Sequence, residues 1–160
     1  MNRTMVLAEW RRAWQALHAA ELLSSAGYHE DAISRAYYAT LHTAKAALYV
    51  HDVAVTSHAA VKRMFGRHLI LTGEIEPVWS SNLGESLDDR LAADYDVQMT
   101  FSSLEVQQEC QRTREFLDRI RRRSSVAERY NSFTQAVSYH VVAHIPLEQP
   151  DETPAPIPAR

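Results

Sequence analysis

Residues 34–44 read SRAYYATLHTA, a stretch that places an arginine, two adjacent tyrosines and a histidine among alanine, leucine and threonine. Apolar residues in and around this stretch recur at the spacing of an α-helix, which turns once every ~3.6 residues. They form a single stripe made of Ile33, Tyr37, Leu41, Ala44 and Leu48. The stretch therefore predicts a helix that buries one face against other helices.

A second stripe on the same helix is polar. Arg35, Tyr38 and His42 fall within roughly 60° of one another around the helix axis. A guanidinium, a phenol and an imidazole in one groove could hold a phosphate and transfer a proton. The same residues could instead serve packing, with the tyrosines between helices and Arg35 paired with a carboxylate. The residue types alone leave both interpretations open.

The chain up to about residue 123 contains few helix-breaking residues. Only four glycines occur, and five of the six prolines lie at or beyond Pro146. Helical periodicity predicts helices over residues 6–25, 29–51, 57–72, 78–95 and 102–123. Their short connections favour antiparallel neighbours, so the predicted fold class is all-α, an up-and-down antiparallel bundle of about five helices. Residues 1–124 would form this bundle.

Local signals mark several helix ends. Gly27 suits the left-handed position that follows a helix, and Gly73 supplies the break after the third helix. Ser57 is a candidate N-cap for the third helix. Ser102 followed by Glu105 predicts a capped start of the fifth helix.

Two further segments follow the predicted bundle. Residues 125–145 include FTQAVSYHVVAHI and are predicted to form an extra segment, either a sixth short helix or a strand. Residues 146–160 are acidic and proline-rich and are predicted to form a disordered or extended arm.

The composition suits one globular domain, with 160 residues of which 46% are hydrophobic and 23% charged. A formal net charge of -3 gives no global basicity that would argue for nucleic-acid binding. Cys110 is the only cysteine, so no intrachain disulfide can form and a reducing compartment is expected. The sequence shows neither the apolar core of a secretory signal nor a membrane-spanning run. We therefore expect a soluble, cytoplasmic protein.

The stretch DDRLAADYD, residues 88–96, is a second candidate for chemistry. Arg90 and Asp94 are four residues apart, so they share a helix face and are expected to pair. Asp89, Asp94 and Asp96 could suggest a metal, but a hard cation needs about six oxygens in a shaped loop, so no metal site is predicted. His58 would lie in the first turn of a helix, where the helix dipole favours a neutral imidazole.

The strongest basic run lies at the end of the fifth helix and comprises Arg112, Arg114, Arg119, Arg121, Arg122 and Arg123. Cations at a helix C-terminus complement the dipole, which explains part of the run. Six arginines against Glu115 and Asp118 exceed that need, so a surface for RNA phosphates or for an acidic partner stays open.

Three motifs together resemble the HEPN superfamily, and more narrowly its small single-domain branch. They are SRAYYATLH at 34–42, HAAVKRMFGRHLILTGEI at 58–75 and RLAADYD at 90–96, and the match runs over residues 19–122. The resemblance implies a helical bundle that usually dimerises. It also implies a link to metal-independent ribonucleases, often toxins paired with a minimal nucleotidyltransferase antitoxin.

The family's ribonuclease site uses an arginine followed, four to six residues later, by a histidine, and this sequence departs from that pattern. After Arg90 it has Asp94 and Tyr95 where a histidine is expected, so the resemblance implies a site only if His42 or His58 joins Arg90 in space. In the related toxin branch a tyrosine beside the motif can receive AMP from the partner enzyme, and Tyr95 lies two residues short of that spacing.

Two functions follow as hypotheses. In the first, the chain acts on RNA, as a metal-independent ribonuclease toxin or a component of a defence system, without a cofactor. Its catalytic residues would be Arg90, His42 and Tyr95, and its substrate-binding residues Arg35, Tyr38, His58 and Asp94. In the second, the chain is a non-catalytic dimeric module that binds nucleotide or RNA, or docks a nucleotidyltransferase, and these side chains brace the bundle.

Overall fold

The structure is a computed structural model that describes residues 2–123, and within them it contains five α-helices and no strand. The helices are α1 (Arg3–Ser25), α2 (His29–Val50), α3 (His58–Phe65), α4 (Val78–Tyr95) and α5 (Ser103–Arg123), and a π-helical segment, Gly66–Ile70, continues α3. The predicted all-α class is confirmed. The predicted segments 125–145 and 146–160 lie outside the described residues. No helix in the described part of the chain has the length and apolar character needed to cross a membrane.

Side-chain contacts between helices show how the four long helices run. On α1 and α2, Ala13 and Leu17 pack with Ala39, while Glu9 contacts His42 further along, so the two helices are antiparallel. On α2 and α4, Ser34 contacts Asp94 and Tyr38 contacts Arg90, which is again an antiparallel register. Helix α5 runs antiparallel to α4, with Ser86 contacting Glu109 and Glu76 contacting Arg119. The long helices therefore alternate in direction, as the sequence predicts.

The predicted helix ends are also found. Gly27 has φ 83°, and the amide of Tyr28 donates to the carbonyl of Leu23, which closes α1 with a left-handed residue. The Ser57 hydroxyl accepts from the amide of Ala60 and caps α3.

The first turn of α5 is a capping box. The amide of Ser102 donates to the Glu105 carboxylate at 2.8 Å, and the amide of Glu105 donates to the Ser102 hydroxyl at 3.3 Å. Two backbone donors that the helix itself leaves unpaired are thereby satisfied. Helix α5 is thus fixed at the end that lies beside the C-terminus of α4.

Alanine lets the helices approach closely in the centre of the bundle. Ala20, Ala32 and Ala36 are fully buried together with Ile33, in a cluster that also includes Val106 and Cys110 of α5. All five residues of the apolar stripe predicted for α2 are buried. At the other end of the bundle the core is aromatic, and Phe65 and Trp79 each pack against Phe116. Helix α2 is therefore buried on most of its surface, and Asp31 and Arg35 are its exposed residues.

The third predicted helix differs from the observed one in its second half. Residues 66–70 form a π-helical turn, in which the amide of Leu71 donates to the carbonyl of Gly66. Such a turn widens the helix by one residue, and π-turns of this kind are often found at functional sites. The segment ends at Gly73, which has φ 73° and supplies the predicted break.

Candidate functional site: the Arg90 cluster

Arg90 lies near the C-terminus of α4 and is surrounded by side chains from α2 and α4. Its Nη2 lies 2.6 Å from Oδ2 of Asp94, which confirms the predicted pair. The guanidinium carbon is 5.9 Å from the ring centre of Tyr38 and 5.5 Å from that of Tyr95. The hydroxyl of Ser34 also donates to Asp94. We call these five residues the Arg90 cluster.

The electrostatics of the cluster favour a charged guanidinium. Burial alone would lower the pKa of Arg90, but Asp94 and then the rings of Tyr38 and Tyr95 raise it overall. The side chain is 15% exposed, and its buried Nε has no hydrogen-bond partner among the described residues. A guanidinium has five N–H donors, and Asp94 and Tyr95 together do not use them all. Arg90 therefore retains donors with which it could bind an oxyanion.

His58 stands next to the cluster at the start of α3. Its ring packs against that of Tyr37 on α2, with ring centres 5.5 Å apart in an edge-to-face arrangement. Burial lowers the pKa of His58, and the positive charges of Arg90 and Lys45 lower it further. The direction of this shift favours the neutral imidazole that the sequence predicts, with burial as its largest cause and the neighbouring cations next.

Tyr37 connects His58 to the cluster and is itself a core residue. It is 1% exposed, and its ring packs against that of Tyr38 with centres 5.5 Å apart. Burial raises its pKa to about 12 even though the charge of Arg90 lowers it. Tyr37 therefore remains protonated and holds the ring of His58 in place.

His42, the other predicted histidine, has a different partner. Its Nδ1 lies 2.5 Å from Oε2 of Glu9 on α1, and Lys45 lies 4.0 Å from the other oxygen of that carboxylate. Burial raises the pKa of Glu9, but His42, Lys45 and Arg12 lower it overall, so the carboxylate is ionised. A carboxylate that binds one ring nitrogen fixes the orientation of the imidazole and leaves Nε2 for another partner.

The structure thus brings together five of the seven residues predicted for the site: Tyr38, His58, Arg90, Asp94 and Tyr95. His42 lies one helical turn from Tyr38 and pairs with Glu9. Arg35 is exposed, and no hydrogen bond or ion pair within residues 2–123 involves it. Sequence reasoning missed Ser34 and Glu9. A lone glutamate among the buried positions Val6, Trp10 and Ala13 could have drawn attention to Glu9.

The basic run of α5 has its own carboxylate partners. Arg114 pairs with Glu21, Arg119 makes two bonds of 2.7 and 2.8 Å to Glu76, and Arg121 lies 3.1 Å from Asp118. Arg112 pairs with three carboxylates, those of Glu85, Asp89 and Glu109. Arg112, Arg114 and Arg119 thus hold α5 against α4, α1 and the segment before α4, while the pair of Arg121 with Asp118 lies within α5.

Two other chemistries find no support in the described residues. No group of three histidine, cysteine, aspartate or glutamate side chains within residues 2–123 is arranged to hold a metal ion. Burial raises the pKa of the Cys110 thiol to about 11, and the charges of Glu21 and Glu109 add to that rise. A buried thiol of this kind is a poor nucleophile at neutral pH.

Comparison with known proteins identifies relatives of this chain. A family model for the HEPN domain matches residues 7–123. A Methanocaldococcus jannaschii protein named "Putative toxin MJ0605" is 38% identical over 79 residues, which cover 49% of this chain and 59% of the relative. The "UPF0332 protein PH1297" of Pyrococcus horikoshii is 42% identical over 74 residues, which cover 46% of this chain and 52% of the relative.

A "UPF0332 protein" of Thermotoga maritima is 25% identical over 120 residues, which cover 74% of this chain and 91% of that relative. This chain spans little more than half the length of the two archaeal relatives. The family model, in contrast, covers most of the chain, including every helix from α2 to α5 and the residues of the Arg90 cluster. The chain therefore belongs to the HEPN domain family.

Proposed function

We propose that this chain acts on RNA as a metal-independent endoribonuclease whose centre is the Arg90 cluster together with His58. The observation that carries the proposal is that Arg90 and His58 lie against two adjacent rings of α2. The guanidinium carbon is 5.9 Å from the ring centre of Tyr38, and the imidazole is 5.5 Å from that of Tyr37. Membership of the HEPN family and the toxin name of the Methanocaldococcus jannaschii relative support it.

The chemistry needs a cation for the phosphate and a group that accepts a proton. The free N–H donors of Arg90 would bind the non-bridging oxygens of the scissile phosphate and stabilise the charge that develops there. His58 would take the proton of the 2′-hydroxyl as that oxygen attacks phosphorus. The bond to the 5′-oxygen then breaks, and the leaving oxygen takes a proton, for which His42 is the candidate donor. Neither step requires a metal.

A second function is favoured by one observation. Asp94 occupies part of the guanidinium of Arg90 and also accepts from Ser34, so the cluster joins α2 to α4. This arrangement supports a non-catalytic module that binds RNA or docks a nucleotidyltransferase, with the cluster as a brace. Under either function, we propose that the chain forms a homodimer. We also propose that it pairs with a minimal nucleotidyltransferase antitoxin.

The experiment is cleavage of 5′-labelled RNA by the purified chain in excess EDTA. We expect the wild type to cleave, and His58→Ala or Arg90→Lys to lower the rate by ~10²-fold or more, as expected for loss of a proton-transfer or charge-stabilising group. His42→Ala should lower it as well if His42 donates to the leaving oxygen. His18→Ala is the matched control, because His18 is exposed on α1, and it should cleave like the wild type.

Folding of each variant is checked by circular dichroism before rates are compared. Absence of cleavage by the wild type, or equal activity in the His58 and His18 variants, would refute the catalytic proposal and leave the non-catalytic module.

A further inference from the structure

Tyr95, the last residue of α4, is a large aromatic side chain that the fold leaves uncovered. It is 73% exposed, although its ring centre lies only 5.5 Å from the guanidinium carbon of Arg90. Tyr38, the other ring of the Arg90 cluster, is half-buried and packs against Tyr37. Arg90 therefore contacts one ring that belongs to the packed bundle and one ring that is open to solvent.

The contact with Arg90 orients the ring of Tyr95 without covering it. Arg90 donates a hydrogen bond to the hydroxyl of Tyr95, and this bond is one of the causes that raise the pKa of the guanidinium. A bond to the phenol oxygen holds the ring at its polar tip and leaves its apolar body for another contact. Leu91, one helical turn before Tyr95 on the same face of α4, is also exposed and extends this apolar surface.

The ring and the guanidinium together match the two parts of a nucleotide. A nucleotide carries a flat base and an anionic phosphate on the same sugar. Aromatic side chains stack on bases, and guanidinium N–H groups bind phosphate oxygens. A protein interface, in contrast, has a core depleted of charged residues, whereas Tyr95 stands against the charged pair of Arg90 and Asp94. The surroundings of the ring therefore favour RNA over a protein partner.

We propose that Tyr95 stacks on the base of the nucleotide whose phosphate Arg90 binds, so that the site takes an unpaired nucleotide of single-stranded RNA. The inference rests on the RNA-acting part of the proposed function. In an A-form duplex the bases are paired and stacked on one another, whereas an unpaired base can turn outward onto an aromatic side chain. Because every base has a flat face, the stack selects strand structure more than sequence.

The test measures binding of two fluorescein-labelled 12-mers by anisotropy. The first is a 2′-O-methylated oligoadenylate, in which methylation blocks the attacking oxygen, so that the protein binds without cleaving. The second is a strand of abasic tetrahydrofuran phosphates, which keeps the charge and lacks the bases. Tyr95→Ala removes the ring, and Tyr95→Phe keeps it. Tyr28→Ala is the matched control, because Tyr28 is 60% exposed and its side chain makes no capping bond at the start of α2.

We expect Tyr95→Ala to bind the oligoadenylate ~5- to 150-fold more weakly than the wild type, which is the effect of losing one base–aromatic stack. Its affinity for the abasic strand should not change. Tyr95→Phe should bind the oligoadenylate within ~2-fold of the wild type, since the stacking ring is kept. Annealing the oligoadenylate to its complement should weaken binding by the wild type and remove the difference between wild type and Tyr95→Ala.

Three results would overturn the proposal. Equal losses in the Tyr95→Ala and Tyr28→Ala variants would show that the ring has no special role. An equal loss for the abasic strand would show that Tyr95 acts only through Arg90 and the phosphate. Failure of the wild type to bind the oligoadenylate would point to a protein partner that covers the ring.

Cleavage of unmodified RNA separates this inference from the proposed function. If the Arg90 and His58 variants lose cleavage while Tyr95→Ala binds the oligoadenylate like the wild type, the proposed function stands and the inference fails. If Tyr95→Ala loses affinity for the oligoadenylate while no protein cleaves, the base-stacking site stands and the catalytic proposal fails.

Discussion

Replacement of Arg112 by alanine should destabilise the bundle by about 3 kcal/mol at pH 7, because it leaves a buried carboxylate without its cation. Glu109 is 4% exposed in the interface between α4 and α5. Its carboxylate accepts from the Ser86 hydroxyl at 2.8 Å and from Nε of Arg112 at 2.7 Å. Removal of one partner of a buried pair costs about 3–5 kcal/mol, and the partial exposure of Arg112 places this case at the lower end.

The stability lost in Arg112→Ala should be greater at pH 7 than at pH 5. Burial raises the pKa of Glu109 above its ordinary value of 4.5, although Arg112 and Ser86 lower it. The folded chain therefore holds the proton of Glu109 to a higher pH than the unfolded chain, and stability falls as pH rises above about 4.5. Without Arg112 the pKa of Glu109 should rise further, because a group that lowers it is gone. The difference in free energy of unfolding between variant and wild type should therefore be smaller at pH 5 than at pH 7.

Urea unfolding followed by circular dichroism at the two pH values measures both effects. With an m-value of about 1.5 kcal/mol per molar urea, the midpoint should fall by ~2 M at pH 7. Arg114→Ala is the control, because both partners of its pair with Glu21 are partly exposed, at 42% and 32%, and the pair should contribute less than ~1 kcal/mol. A deficit below 1 kcal/mol, or one that is equal at pH 5 and pH 7, would refute the reasoning.

Three further predictions concern local structure and the site. Gly27→Ala should cost ~1 kcal/mol in urea unfolding because the residue has φ 83°, whereas Gly66→Ala, with φ -56°, should be neutral or stabilising; equal effects would contradict the assignment of strain. Ser57→Ala removes the cap of α3 and should cost about 1 kcal/mol by the same assay, and an unchanged midpoint would argue against the cap. The pKa of His58, followed by NMR, should lie below 6.5 and should rise in Arg90→Gln; a value that does not respond would mean that Arg90 is too distant to act on it.

Helix existence and helix ends could be predicted from the sequence because they depend on neighbours in the chain. The apolar stripe of α2 needs only the helical period, and the pair of Arg90 with Asp94 needs only a spacing of four. Gly27 and Ser57 act within one turn of the helix they end or begin. These features were therefore visible in the printed sequence.

The composition of the site could not be predicted in the same way. A helical pattern shows which residues share a face, but the packing of one helix on another decides which faces meet. The approach of Tyr38 to Arg90, and of Glu9 to His42, depends on that packing. The α5 arginines show this most clearly, because the partners of Arg114 and Arg119 are Glu21 and Glu76, which lie outside α5. A run of positive charge in the sequence therefore need not form an unpaired basic surface in the fold.

The pH dependence of RNA cleavage in EDTA tests the central claim most directly. If neutral His58 accepts the proton of the 2′-hydroxyl, kcat/KM should rise with pH with a midpoint below 6.5 that equals the pKa of His58 measured by NMR, and it should fall again at higher pH once the donor to the leaving oxygen loses its proton. A midpoint that differs from that pKa, or a rate that does not change across it, would contradict the role given to His58 and to the Arg90 cluster beside it.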